Sequence, residues 1–406
     1  MEIQKAKEQV ILAGKMLIEK GLIARTWGNV SCRINQDQFV ITPSGKAYES
    51  LTPDDIVLVN IKDLSYEGDV KPSSEKGIHM EVYKHLPDIN FVIHTHQVNA
   101  SVVSTLGVDT VPLSSKHSAI GSCIPIAGYA LPGTKKLRKN ISYTLDSFHS
   151  KAVLMAKHGA LCFGRDLEES FMIANMVEEA CEAFLLDYCN QVYNKSCTSL
   201  DEINGLYLKK YQTDEPTAIN IDAYVSERVG NTINLYEGKE EQLVSKIDLI
   251  SGQVNFGKYL PEGELHRLIY HSRPDIKSIV HSKEEDILTV SRVGKTIYPL
   301  LDDFAQIIGP YMGCAVYSRE KPFETAKDVV KALKKNNGVF IRNNGALCCG
   351  PCKKDAYAAE LVAIKGCKAW IAASVFGNVQ PINKIEARLM NFVYKNKYSK
   401  ESTVKD

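Results

Sequence analysis

No run of about 18 consecutive apolar residues occurs in the 406-residue sequence, so no membrane-spanning helix is expected. The start, Met1-Glu2-Ile3-Gln4-Lys5, scatters charges among its apolar positions and lacks the unbroken apolar core of a secretory signal. There is no excess of either charge: 49 Lys and Arg stand against 48 Asp and Glu. A nucleic-acid binder would show a basic excess or stripe, so no nucleic-acid partner is expected. A disulfide framework is missing too. The 11 cysteines are odd in number and spread over both halves of a chain long enough to build a core without cross-links. Reduced, mostly buried thiols in a cytoplasmic protein are the plain reading. What is present is ordinary for a globular protein, 44% hydrophobic and 24% charged, and the length suggests two domains.

The second half echoes the first. His79-Met80-Glu81-Val82-Tyr83, running on through Pro87-Asp88-Ile89 to His94, recurs as His266-Arg267-Leu268-Ile269-Tyr270, through Pro274-Asp275-Ile276 to His281, at a constant offset of 187. Further on, His158-Gly159-Ala160-Leu161-Cys162-Phe163-Gly164 recurs as Asn344-Gly345-Ala346-Leu347-Cys348-Cys349-Gly350 at an offset of 186. A period this long means a duplicated domain. The expected division is residues 1–200, a linker at 201–225, and 226–406. The linker region is polar and rich in turn formers such as Asn204-Gly205 and Thr213-Asp214-Glu215-Pro216. Strands are expected at Phe39–Thr42, Ile56–Val59 and Phe91–His94, and helices at Glu75–Leu86, Leu167–Tyr193, Lys353–Val375 and Lys384–Lys397. This alternation indicates an α/β fold.

The chemistry-bearing residues cluster in the first copy. His94-Thr95-His96 closes the apolar run Phe91-Val92-Ile93, and residues i and i+2 of a strand share a face. A third histidine, His158, follows the apolar run Val153–Ala156. Three histidines leave a fourth zinc position open, as catalytic zinc requires. Unrelated polar histidines near strand ends are the bland alternative. In Lys71-Pro72-Ser73-Ser74-Glu75, either serine could cap the helix expected from Glu75. Hydroxyls and free N–H groups at a helix start suit a phosphate, and Glu75 beside them is a candidate general base. Thr26-Trp27-Gly28-Asn29-Val30-Ser31 and Thr42-Pro43-Ser44-Gly45-Lys46 could each form an anion-binding loop or a plain turn.

Taken in order, these motifs resemble the class II aldolase/adducin family and cover essentially all of the first copy. That family includes fuculose-1-phosphate and rhamnulose-1-phosphate aldolases, ribulose-5-phosphate 4-epimerase and the adducin head domain. The resemblance implies two tandem α/β/α sandwich domains and one Zn2+ (or another divalent metal) per chain at His94, His96 and His158. It also implies a phosphate site at Asn29, Ser44, Gly45, Ser73 and Ser74, with Glu75 as acid/base. The implied reaction is cleavage of a phosphorylated ketose to dihydroxyacetone phosphate and an aldehyde, through a metal-stabilised enediolate. Family members are commonly ring-shaped homo-oligomers, so a fused pair could dimerise into a pseudo-tetramer. Glu75 follows the aldolases, whereas Trp27-Gly28-Asn29 is closer to the epimerases. The tyrosine that aldolases draw from a neighbouring subunit is absent from Leu113–Ser118, where His117 either replaces it as proton donor or sits on the surface. Tyr207 and Tyr211 are further candidates, or packing residues. A pentulose-phosphate 4-epimerase, a sugar-acid-phosphate decarboxylase and an adducin-like scaffold are the alternatives.

The second copy has lost the ligand set. His94 maps to His281, but His96 maps to Lys283 and His158 to Asn344. Glu75 maps to Glu262 without the paired serines. The Cys-x-x-Cys run Cys349–Cys352 maps onto a plain strand-to-helix turn, Phe163–Asp166, so a redox role is not expected there.

Overall fold

A computed structural model describes residues 2–23, 27–194, 196–213, 221–238 and 241–398. The chain divides into two compact units, the first running to Leu200 and the second spanning Asp201–Asn396. Each is a mixed α/β domain built on an eight-stranded sheet.

In the first unit the strands are β1 (Asn29–Arg33), β2 (Gln38–Ile41), β3 (Val57–Asn60), β4 (Phe91–Thr95), β5 (Thr110–Pro112), β6 (Cys123–Ala127), β7 (Ala152–Met155) and β8 (Gly159–Gly164). Their order is β3-β2-β1-β4-β8-β7-β6-β5. All neighbours are antiparallel except β6 and β7. The strand alternation explains the layers. Val92 of β4 joins a core with Val82 and Ile78 of the helix Lys76–His85 and Leu137 and Ile141 of the helix Lys135–Ser147. The opposite face is covered by the helices Ile3–Glu19 and Leu167–Tyr193. His94 and His96 are in phase with Val92, so they lie on the side of the helix Lys76–His85.

That helix has ten residues, too few to hold its shape in isolation. Buried Ile78 and Val82 each contribute about 1.5–3 kcal/mol of apolar transfer. Arg33 of β1 fastens the far end, donating to the carbonyls of Tyr83 (2.6 Å), Leu86 (3.1 Å) and Ile89 (2.8 Å).

The second unit repeats the plan with β9 (Tyr224–Val229), β10 (Thr232–Glu237), β11 (Gln242–Asp248), β12 (Val254–Gly257), β13 (Ser278–Ser282), β14 (Gly313–Ala315), β15 (Gly338–Ile341) and β16 (Ala346–Gly350). Their order, β12-β11-β10-β9-β13-β16-β15-β14, matches the first sheet strand for strand. Only the edges differ: β5 has no second-unit partner and β12 has no first-unit partner.

The stretch 201–225, read from sequence as linker, contains a helix over Asp201–Lys210. Asn204, taken for half of an Asn-Gly turn, is buried there and donates to Asp286 at 3.0 Å. The last helix ends at Val393, short of Lys397, and continues as a wider turn. Among the described residues, no helix is long and apolar enough to cross a membrane.

Candidate active site

His94 is the centre of the site. Its Nε2 lies 3.0 Å from His96 Nε2 and 3.0 Å from His158 Nε2. The ligand atoms of the three residues all fall within 4.8 Å of one another, the one such group among the described residues. Two backbone features bring them together. β4 carries His94, His96 follows directly after the strand's last residue on the same side, and a tight turn with Lys157 at φ 63° sets His158 at the mouth of β8. The chains pass so close that two glycines are required. A Cβ on Gly159 would sit 2.3 Å from the Thr95 carbonyl oxygen, and one on Gly28 2.7 Å from that of His94.

The donor set fits a metal ion. His94 Nδ1 lies 2.9 Å from the Ala160 carbonyl oxygen, so Nδ1 carries the proton and donates. Nε2 is then left with its lone pair, the arrangement in which a second partner orients a ligating imidazole. Two nitrogens bound tetrahedrally at about 2.0–2.1 Å are themselves about 3.3 Å apart. The observed 3.0 Å spacings are close to that value. Burial pushes the His94 imidazole down to about 3, and the neighbouring imidazoles of His96 and His158 push the same way against the pull of Glu75. It is therefore neutral at ordinary pH, as a ligand must be.

Glu75 closes the fourth side. Its Oε2 is 3.3 Å from His94 Nε2 and its Oε1 is 3.0 Å from His158 Nε2. Burial alone would raise its carboxyl. Positive charge at His94, His158 and His96, with a hydrogen bond from His158, outweighs burial and favours the carboxylate, so Glu75 is held well below the usual range while the cluster carries charge. Asn29, opposite His94 across the β1–β4 ladder, donates its amide N–H to Glu75 Oε2 at 3.0 Å. Behind Asn29 lies His79, which was not singled out from sequence as a site residue: a lone histidine inside a helix carries no motif.

Of the predicted phosphate residues, Ser44, Gly45, Ser73 and Ser74 lie on two adjoining loops, while Asn29 lies in β1 against Glu75. Ser44 N–H donates to the Lys71 carbonyl and Ser73 N–H to the Thr42 carbonyl, zipping the two loops together. Ser73 Oγ accepts from the Glu75 N–H at 3.2 Å, so it braces the turn into the helix. Ser74 and Gly45 are exposed and Ser44 is half-buried. Thr26 lies outside the described residues.

His117 keeps different company. It is buried in a short turn, with Nδ1 3.1 Å from Ser114 Oγ and Nε2 3.9 Å from Glu179. Neither partner belongs to the three-histidine cluster. Tyr207 and Tyr211 fall in the second unit, their rings 4.9 Å apart and Tyr207 buried. Cys349 lies inside β16, where burial pushes its thiol up to about 12, opposite to the shift a reactive thiol needs.

The chain belongs to the class II aldolase and adducin N-terminal domain family, whose model matches residues 8–185 and again 234–371. It is 36% identical over 217 residues to an L-fuculose phosphate aldolase of Escherichia coli O6:H1, covering 52% of this chain and 97% of that relative. It is 32% identical over 195 residues to a 5-deoxy-D-ribulose 1-phosphate aldolase of Bacillus thuringiensis serovar kurstaki, covering 48% of this chain and 86% of that one. A solved L-fuculose 1-phosphate aldolase is 30% identical, with a TM-score of 0.44, over 51% of this chain and 96% of its own.

Proposed function

We propose that the chain is a zinc-dependent aldolase, a lyase that cleaves a phosphorylated ketose to dihydroxyacetone phosphate and an aldehyde. The observation that carries this reading is the convergence of His94, His96, His158 and Glu75 in one buried cluster, on a chain of this family. A divalent ion held by the three imidazoles supplies Lewis-acid charge for the oxygen anion that develops as the carbon–carbon bond breaks.

The chain's own groups do the rest. In cleavage the substrate hydroxyl gives up its proton as the carbon–carbon bond breaks and the aldehyde forms, and Glu75 delivers one proton to the carbon left behind; in synthesis Glu75 removes that proton and the new hydroxyl gains one. Ser44, Ser73 and Ser74 hold the substrate phosphate with their hydroxyls, and Gly45 and Ser74 add backbone N–H groups, since those of Ser44 and Ser73 are spent between the two loops. Asn29 already spends one amide N–H on Glu75, so its share in phosphate binding is the other N–H. His117 lies with Ser114 and Glu179, so as a proton donor it would serve the site of another subunit in a homo-oligomer. The second unit is a degenerate copy without a metal of its own.

The test is a panel of phosphorylated ketoses scored for dihydroxyacetone phosphate release, before and after chelation and metal return. Release from one member, lost on chelation and regained with metal, is expected. No release from any member by metal-loaded protein would sink the reading, and an epimerised pentulose phosphate as product would replace it with the 4-epimerase.

A further inference from the structure

We propose that His79 is a positioning residue for Glu75, acting through Asn29 along a one-way chain of buried hydrogen bonds that begins at Tyr83. The proposal rests on the reading of Glu75 as the proton-transfer group.

The links are short and buried. Tyr83 Oη is 2.7 Å from Ser31 Oγ, and Ser31 Oγ is 2.6 Å from His79 Nδ1. His79 Nε2 is 2.5 Å from Asn29 Oδ1, and Asn29 Nδ2 is 3.0 Å from Glu75 Oε2. His79 and Ser31 have no solvent exposure. The direction follows from the last link. A carboxylate ready to accept a proton is ionised and can only accept hydrogen bonds. Asn29 must therefore turn its NH2 toward Glu75 and its carbonyl oxygen toward His79. The His79 Nε2 must then carry the hydrogen, which leaves Nδ1 as an acceptor. Ser31 donates to Nδ1, and Tyr83 donates to Ser31. Each group has one allowed orientation, so the chain fixes which way the Asn29 amide faces. It thereby fixes where Glu75 Oε2 is held.

The second unit supplies an internal comparison. Ser226, His266 and Tyr270 repeat the inner half of the network: His266 Nδ1 is 2.7 Å from Ser226 Oγ, which is 2.7 Å from Tyr270 Oη. The outer half is gone. Ser31 and Ser226 differ by 195 in number, and the same offset places Tyr224 at the position of Asn29. Among the described residues, His266 Nε2 has no hydrogen-bond partner. The carboxylate equivalent to Glu75, Glu262, is engaged by Arg319 at 2.8 Å instead. The Ser–His–Tyr half is therefore common to both units and serves packing. The Nε2–Asn29–Glu75 half persists only where the three-histidine cluster does. A purely structural histidine would not need it.

Two substitutions separate the halves. In His79→Asn the shorter side chain still offers Ser31 an acceptor at the place of Nδ1 but no longer reaches Asn29. In His79→Gln a donor returns at the place of Nε2. His79→Asn is expected to lower kcat about 10–100-fold, the usual cost of losing a group that orients an active-site side chain. KM and bound metal should be unchanged, and His79→Gln should recover most of kcat. His266→Asn, the matched control, should leave kcat alone. Ring-15N spectra of the metal-loaded parent should show His79 as the neutral Nε2–H tautomer. That preference should be lost in Glu75→Gln, whose amide can donate. Parental kcat in His79→Asn would overturn the proposal, as would a loss that tracks bound metal or is not rescued by His79→Gln. An Nδ1–H tautomer in the parent would reverse the chain and also overturn it. If no phosphorylated ketose is cleaved at all, the assigned activity fails, while the tautomer comparison still decides whether His79 reports on Glu75.

Discussion

Arg319 Nε sits 2.8 Å from Glu262 Oε1, so the carboxylate that faces three imidazoles in the first unit faces a guanidinium in the second. The substitution of partner goes with a loss of ligands. His281 survives at the place of His94, but its Nε2 points at the Asn344 carbonyl oxygen at 2.6 Å. A nitrogen that donates to a carbonyl has no lone pair to give a metal. Purified protein should therefore carry about one divalent ion per chain, since three or four protein ligands make a site. Elemental analysis should find that ion lost in His158→Ala and kept in His281→Ala. Two ions per chain would show that the second unit still binds metal.

Glu75→Gln keeps the shape of the side chain and one acceptor oxygen but removes the basicity. A lost proton-transfer group typically costs about 10²–10⁴-fold in rate. Ketose cleavage should fall by that much while metal content stays at the parental level. An active Glu75→Gln enzyme would move the proton transfer to another group, and His117→Ala would then be the next variant to assay.

The two serines should behave differently. Ser74 is exposed, whereas Ser73 is buried and its Oγ accepts from the Glu75 N–H. Each hydrogen bond to a charged phosphate is worth about 1.5–3 kcal/mol. Ser74→Ala should raise KM for a phosphorylated ketose by about tenfold or more with kcat nearly intact. Ser73→Ala should raise KM and lower kcat together, because it also frees the turn that aims Glu75. Equal turnover of phosphorylated and free ketose by the parent would remove the phosphate assignment for both.

Much of this architecture was legible because the repeat offset holds at 187 from His79 to His94. The convergence of His94 and His96 needed only the two-residue period of a strand; His158 showed itself as a histidine after an apolar run, and the family motif joined it to the other two. Before His79 the repeat is hard to follow. Ser31 and Ser226 are 195 apart, eight more than the later offset, so the strands β9 to β12 had no aligned template and were not recognised. The helix Asp201–Lys210 was hidden by Asn204-Gly205, a turn pair overridden by burial of Asn204 against Asp286. His79 was invisible as a site residue for a different reason: its function lies in a path through Asn29, and hydrogen-bond paths leave no spacing in sequence.

The buried histidines of both units make stability depend on pH in one direction. His266 has no solvent exposure, and burial, helped by His281, pushes its imidazole down to about 3 from an ordinary value of 6.5. His79 is pushed down to about 3 by burial as well, and His281 to about 4. In each case the unfolded chain binds a proton that the folded chain refuses. The folded state is then at its full stability above the unfolded value, near pH 6.5, and loses stability as pH falls from there toward the folded values. One such group contributes a slope of at most about 1.4 kcal/mol per pH unit within that window. Urea unfolding of the second unit, followed from about pH 7 to about pH 5, should show a falling midpoint. His266→Asn lowers stability at every pH by disturbing the Ser226–Tyr270 pair, but it removes one titrating group, so its midpoint should fall less steeply than that of the parent. A parent midpoint flat across this range, or an unchanged slope in His266→Asn, would mean that His266 takes up its proton in the folded state.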